Sequence, residues 1–130
     1  MTDRTGEQAL FQTLLAPYDL RDGHNTDQPF ASPPYIGRGW HGLVRTLIED
    51  LIRLGWDRRV LQIKEKFGTL RFYVTQRDDV LLARIEAATE LSARVCEECG
   101  GDGTWLDENG AMSTLCDACR GRMPASPGET

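Results

Sequence analysis

No stretch of this sequence approaches the ~18 consecutive apolar residues of a membrane-spanning helix, so no membrane span is expected. Positive charge is short overall, with 15 Lys and Arg against 20 Asp and Glu and a net charge of −5. Phosphate affinity needs clustered cations, so this balance argues against a general nucleic-acid binder. Histidine is reduced to His24 and His41, and none of Ser32, Ser92, Ser113 and Ser126 lies in a G-x-S-x-G context. All four cysteines fall in two pairs, so none is left over as a nucleophile. No triad or carboxylate pair assembles. His41 stands beside Trp40 at a helix start, where a neutral, structural ring is favoured over a cation. The opening residues Met1–Thr5 lack the basic region and apolar run of a signal peptide, which points to the cytoplasm. There is no low-complexity tract, and 40% hydrophobic with 27% charged residues is ordinary for one globular domain with a small appendage.

What is present is concentrated at the C-terminal end. Cys96-Glu97-Glu98-Cys99 and Cys116-Asp117-Ala118-Cys119 form a C-x2-C, sixteen-residue, C-x2-C pattern. That spacing lies in the window of a four-thiolate zinc site, because each C-x-x-C turn aims two sulfurs at one ion and two turns complete a tetrahedron. Between the pairs, 104–106 and 112–115 read as short strands joined by Asn109-Gly110, a strong type I′ turn signal. Knuckle, hairpin and knuckle make a zinc ribbon. Two disulfides or a redox dithiol are the competing explanations. A reducing cytoplasm disfavours the first, and the absence of a βαβ pattern disfavours the second. Four thiolates leave no open position for water, so the expected Zn2+ is structural, and worth on the order of 10–16 kcal/mol in small finger peptides.

The rest of the chain reads as an α+β domain. Residues 7–15 suggest a short helix with Leu10, Phe11, Leu14 and Leu15 on one face, stopped by Pro17. Residues 19–39 look irregular and proline-rich, anchored by Tyr18, Phe30, Tyr35 and Ile36, and are a candidate contact surface. From Gly39-Trp40-His41-Gly42 onward, Leu43, Val44, Leu47, Ile48, Leu51 and Ile52 draw a wide apolar stripe, with Gly55 and Trp56 placed to cap the helix. Residues 60–74 form an alternating hairpin turned at Gly68, with Leu61, Ile63, Phe67, Leu70, Phe72 and Val74 on the helix-facing side. Thr75 or Asp78 caps a second long helix buried through Leu81, Ile85, Ala88, Leu91 and Val95, which runs directly into Cys96. The expected organisation is thus a lead-in at 1–39, a helix-hairpin-helix core at 40–95, a zinc ribbon at 96–122 and a disordered tail at 123–130.

Charge is unevenly spread. Residues 56–77 hold six cations (Arg58, Arg59, Lys64, Lys66, Arg71, Arg77) against Asp57 and Glu65, whereas seven acids from Cys96 onward face Arg120 and Arg122. Core packing accounts for the apolar hairpin residues but not for Lys64, Lys66, Arg71 and Tyr73. These four, with Arg58 and Arg59, are the expected binding surface. Three functions compete. The favoured one is a non-catalytic protein-binding or inhibitory module, since small acidic proteins often neutralise basic partners. A single-stranded nucleic-acid binder using the basic hairpin and Tyr73 comes second. A metal-dependent nuclease built on Asp57 and Gln62-Ile63-Lys64 comes third. Gln62 comes only five positions after Asp57, which hardly allows two paired strands, and Glu65 points away from Lys64.

The string Leu61-Gln62-Ile63-Lys64-Glu65-Lys66-Phe67-Gly68-Thr69-Leu70-Arg71-Phe72-Tyr73, followed by Cys96-x-x-Cys99-Gly100 and Leu115-Cys116, resembles a family of small proteins of bacteria and their phages. The likeness covers roughly 38–120, and K-E-K-F-G-x-L-R-F-Y is its most specific part. It implies a shared fold and a phage-type accessory setting, without a mechanism. In the family pattern the last metal position can be histidine, and Cys119 is the sulfur version.

Overall fold

The computed structural model, which describes residues 4–31 and 36–122, is built around the helix that the Leu/Ile stripe predicts. This helix, α2 (His41–Arg53), buries Val44, Leu47, Ile48 and Leu51 and half-buries Leu43 and Ile52. It ends as expected in a Schellman cap: the Gly55 N–H donates to Ile52 O at 3.1 Å and the Trp56 N–H to Leu51 O at 3.0 Å. Trp56 is carried inward to meet Phe72 edge-on, with ring centroids 5.8 Å apart. An N-terminal helix, α1 (Arg4–Leu15), packs on α2 through Phe11 and Leu15. Leu10, placed on that face by its spacing, is 49% exposed.

The stretch 19–39 is not an irregular loop. It supplies two strands, β1 (Arg21–Asp22) and β2 (Asn25–Pro29), which join β3 (Arg59–Lys66) and β4 (Thr69–Val74) in a four-stranded sheet of order β2-β1-β3-β4. β1 runs parallel to β3, and the other pairs are antiparallel. Backbone pairing, not side-chain pattern, recruits this segment: Arg21 N–H donates to Arg58 O and Gly23 N–H to Val60 O, both at 2.7 Å. Leu20 and Ile36 are buried as its anchors, while Tyr35 falls outside the described residues.

The β3–β4 hairpin forms where alternation places it, with two changes of phase. A bulge between Val60 and Gln62 puts Val60 and Ile63 in the core and leaves Leu61 half-buried. Phe67 is not a core residue. It sits in the two-residue turn with Gly68, both at positive φ, and is 57% exposed. The second core helix, α3 (Asp79–Ser92), is capped by Asp78, whose carboxylate accepts from the Val80 and Leu81 N–H groups at 2.9 and 3.2 Å. Its buried face runs through Leu81, Ile85, Ala88 and then Ser92 instead of Leu91, which is half exposed. The helix stops at Ser92, and Ala93–Val95 lead to Cys96 in a turn. The ribbon follows as β5 (Thr104–Glu108) and β6 (Ala111–Leu115) around the Asn109-Gly110 turn, then a short helix α4 (Asp117–Arg122) that the sequence pattern does not announce. The expected tail at 123–130 lies outside the described residues, and no helix among those described is long and apolar enough to cross a membrane.

Candidate metal centre and cationic sheet face

The four sulfurs converge. All of them lie within 4.8 Å of one another, and Cys99 Sγ and Cys116 Sγ are 3.7 Å apart. A tetrahedron with metal–sulfur bonds of about 2.3 Å has edges of about 3.8 Å, so the spacing fits one ion. It is far too long for a disulfide bond of about 2.05 Å, and all four cysteines are free. Backbone geometry builds the cage. Val95 bridges to Asp102, the Cys96 N–H donates to Gly101 O at 2.7 Å, and the Gly100 N–H returns to Cys96 O at 2.9 Å. The second pair sits at the entry to α4, so the Cys119 N–H points at Cys116 Sγ at 3.3 Å, and the Gly101 N–H lies 3.4 Å from Cys99 Sγ. Burial pushes the Cys96 thiol up, but the hydrogen bonds around it outweigh burial and bring it down to about 6, towards the thiolate that a metal needs. Among the described residues, these cysteines are the group of His, Cys, Asp or Glu able to hold an ion.

The cage is joined to the core at two glycines. Gly39, in the 3-10 turn that opens α2, donates its N–H to Glu97 O at 2.8 Å, and a Cβ there would lie 2.0 Å from Cys96 O. Gly68, at the hairpin tip, faces the ribbon so closely that a Cβ would come within 2.9 Å of the Ser113 backbone N. Two ribbon side chains hold that tip: Trp105 Nε1–H donates to Phe67 O and the buried Thr114 hydroxyl to Gly68 O, both at 2.7 Å. A third tie is Trp40, fully buried, whose Nε1–H donates to Val95 O at 2.8 Å. Glu97 lies between the parts, its carboxylate accepting from Thr114 N–H at 3.1 Å. Burial raises its carboxyl to about 7; the Thr114 N–H opposes the shift and the charges of Glu65, Glu98 and Cys96 add to it. The sequence shows these glycines without their purpose. Each serves a contact with residues about 30 to 60 positions away in the chain, for which local pattern carries no signal.

On the other side of the hairpin the register sets Lys64 opposite Arg71, Gln62 opposite Tyr73 and Lys66 opposite Thr69. Lys64, Lys66, Arg71 and Tyr73 therefore share one face, opposite to Ile63, Leu70 and Phe72. The three cations make no ion pair with any described carboxylate. Possible partners are engaged elsewhere: Asp50 with Arg53 and Arg84, Glu49 with the Tyr18 hydroxyl, and Glu65 with the Gly68 N–H. The Nε of Arg71 is buried with no hydrogen-bond partner. Arg58 and Arg59 are placed apart from this face. The Arg58 guanidinium donates to Tyr18 O at 2.8 Å, holding the N-terminal segment, and Arg59 lies 3.9 Å from Asp57 at the far end of β3.

The remaining candidates are structurally employed. His41 is buried, with Nε2 3.1 Å from Ile36 O and its ring 5.0 Å from Phe11. His24 is exposed against Asp22. Asp57 organises the turn into β3, accepting from Arg59 N–H at 3.0 Å while its own N–H donates to Gln76. Comparison with protein-family models, curated proteins and solved structures gave no match. Function has to be read from the geometry.

Proposed function

We propose that this protein is a non-catalytic binding module in which Zn2+ staples a ribbon to an α+β core and the outer hairpin face meets an acidic partner. The observation that carries this is the set Lys64, Lys66 and Arg71 on one sheet face without a carboxylate to neutralise it. Like charges directly opposite one another on paired strands are destabilising, and Lys64 and Arg71 are such a pair. A sequence with 20 acids has ample means of screening them, yet leaves them bare. Zinc is favoured by the all-sulfur donor set and tetrahedral spacing, and the four protein ligands leave it a structural role. The use of Asp57 in a turn weighs against a nuclease centre on β3. The setting is that of an accessory protein that neutralises or recruits another macromolecule, a protein partner being the favoured class at the level of the sequence.

Retention on immobilised heparin tests the face. A chain of net charge −5 has no general reason to bind a polyanion. The wild type is expected to be retained and to elute with salt, and the variant Lys64→Ala/Lys66→Ala/Arg71→Ala to flow through. Equal retention of the two would sink the assignment of this face. Metal analysis of the purified protein should give one zinc per chain.

A further inference from the structure

Resting on that reading of the cationic face, we infer that its partner is single-stranded nucleic acid, bound across the hairpin with bases on Tyr73 and Phe67 and phosphates on Lys64, Lys66 and Arg71. Among the described residues, the Phe, Tyr and Trp side chains with large exposed area are Phe67 (57%), Tyr73 (40%) and Trp105 (39%). All three fall on this hairpin or against its tip. An exposed ring has no reason in packing to be there: Tyr73 lies on the face opposite the core, and Phe67 occupies a strained position at φ +55 where a small polar residue is easier to place. Each ring is also set beside a cation. Lys64 Nζ lies 5.8 Å from the Tyr73 ring centroid, and Lys66 Nζ 5.3 Å from that of Phe67. Rings alternating with unpaired cations along a strand face match the two needs of an unpaired strand, a stacking platform for each base and a positive track for its backbone.

The same geometry disfavours the acidic-peptide alternative. An extended peptide gains most by adding to a sheet edge. The start of β4, the edge next to this face, is closed: the Leu70 N–H is held by Ser92 Oγ at 2.9 Å and the carbonyls of Phe67 and Gly68 by Trp105 and Thr114. An acidic peptide also has no use for the rings. Double-stranded DNA would reach the cations but offer no free base to Tyr73 or Phe67.

The test uses the zinc-loaded full chain and fluorescence anisotropy with a labelled oligothymidylate of about 16 nucleotides. The same strand in duplex form and a labelled polyglutamate serve as comparisons. The oligothymidylate is expected to bind more tightly than either. Tyr73→Ala and Phe67→Ala are each expected to weaken it about five-fold or more, with Tyr73→Phe restoring the wild-type value, because stacking needs the ring and not the hydroxyl. Lys64→Ala/Arg71→Ala should lower the salt dependence of binding by about 1.4 in the log–log slope. Polyglutamate bound as tightly as oligothymidylate, or Tyr73→Ala indistinguishable from wild type, overturns the nucleic-acid assignment while leaving heparin retention and the binding face intact. Failure of the wild type to be retained on heparin as well would overturn both.

Discussion

At the scale of single residues, the strongest statements concern Gly39 and Gly68. A Cβ at Gly39 would overlap a backbone carbonyl of the first knuckle, and no side-chain rotation relieves a backbone clash. Gly39→Ala should therefore cost about 3 kcal/mol in a denaturant titration. Gly42→Ala, three residues on, is the control. Its Cβ meets nothing within 4 Å, so it should be neutral or stabilising by up to about 1 kcal/mol. Equal losses for the two would mean that Gly39 is not a packing point. Asp50 gives a pH prediction. A hydrogen bond from Arg84 holds its carboxyl low; burial opposes this, and the charges of Arg84 and Arg53 reinforce it. A depressed folded-state value means the stabilisation is present above the ordinary 3.8 and is lost as pH falls through the folded value. Asp50→Asn should lower the urea midpoint at pH 7, and the gap to wild type should close in acid. A gap unchanged at pH 3 would contradict this.

At the scale of elements, legibility in the sequence followed the range of the interaction. Helix α2, its Schellman end and the turns at Gly68 and Asn109-Gly110 rest on contacts within a few residues, and local pattern shows them; it leaves the α3 cap between Thr75 and Asp78 and counts Phe67 to the strand instead of the turn. The cysteine cage was legible for another reason: two C-x2-C pairs at this spacing carry a metal-site signal that needs no knowledge of the fold. Strands β1 and β2 were not legible, because their polar residues are held by backbone pairing, β1 with β3 and β2 with β1. The bulge after Val60 was also hidden, since one extra residue shifts the phase of every side chain before it. On α3 the exchange of Leu91 for Ser92 has a chemical cause. Ser92 accepts from the Leu70 N–H and donates to Thr89 O, a double task that leucine cannot perform. Ser92→Ala should leave the Leu70 N–H buried and unpaired, at a cost of about 1–3 kcal/mol. Amide hydrogen exchange at Leu70 should speed up beyond the change at Arg71, whose pairing with Lys64 in the hairpin is untouched.

At the scale of the whole molecule, the ribbon and the α+β core are joined by hydrogen bonds rather than a linker: backbone to backbone at Gly39, and from the Thr114 and Trp40 side chains to the carbonyls of Gly68 and Val95. Metal removal is thus expected to reach beyond residues 96–119. Chelation should raise hydrogen exchange at the hairpin tip, residues 66–69, and around Trp40, and should weaken retention on heparin together with it. If exchange rises only within the ribbon, the two parts are less coupled than their contacts require. The charge division follows the same plan: Lys64, Lys66 and Arg71 lie on the outer hairpin face, whereas the ribbon carries Glu97, Glu98, Asp102, Asp107, Glu108 and Asp117.

The parallel pairing of β1 with β3 has a consequence for biosynthesis. Arg21 has its sheet partner at Arg59, with the whole of α2 in between. A ribosome adding about 5–20 residues per second takes on the order of 2–8 s to cover that interval. During it β1 and β2 can pair only with each other, and Phe11, Leu15 and Leu20 have no completed core to enter. The nascent N-terminal third must wait, exposed, for its neighbour to emerge, whereas the later hairpin and ribbon close on partners already made. Slow translation through α2 is where this chain is most open to chaperones or to aggregation.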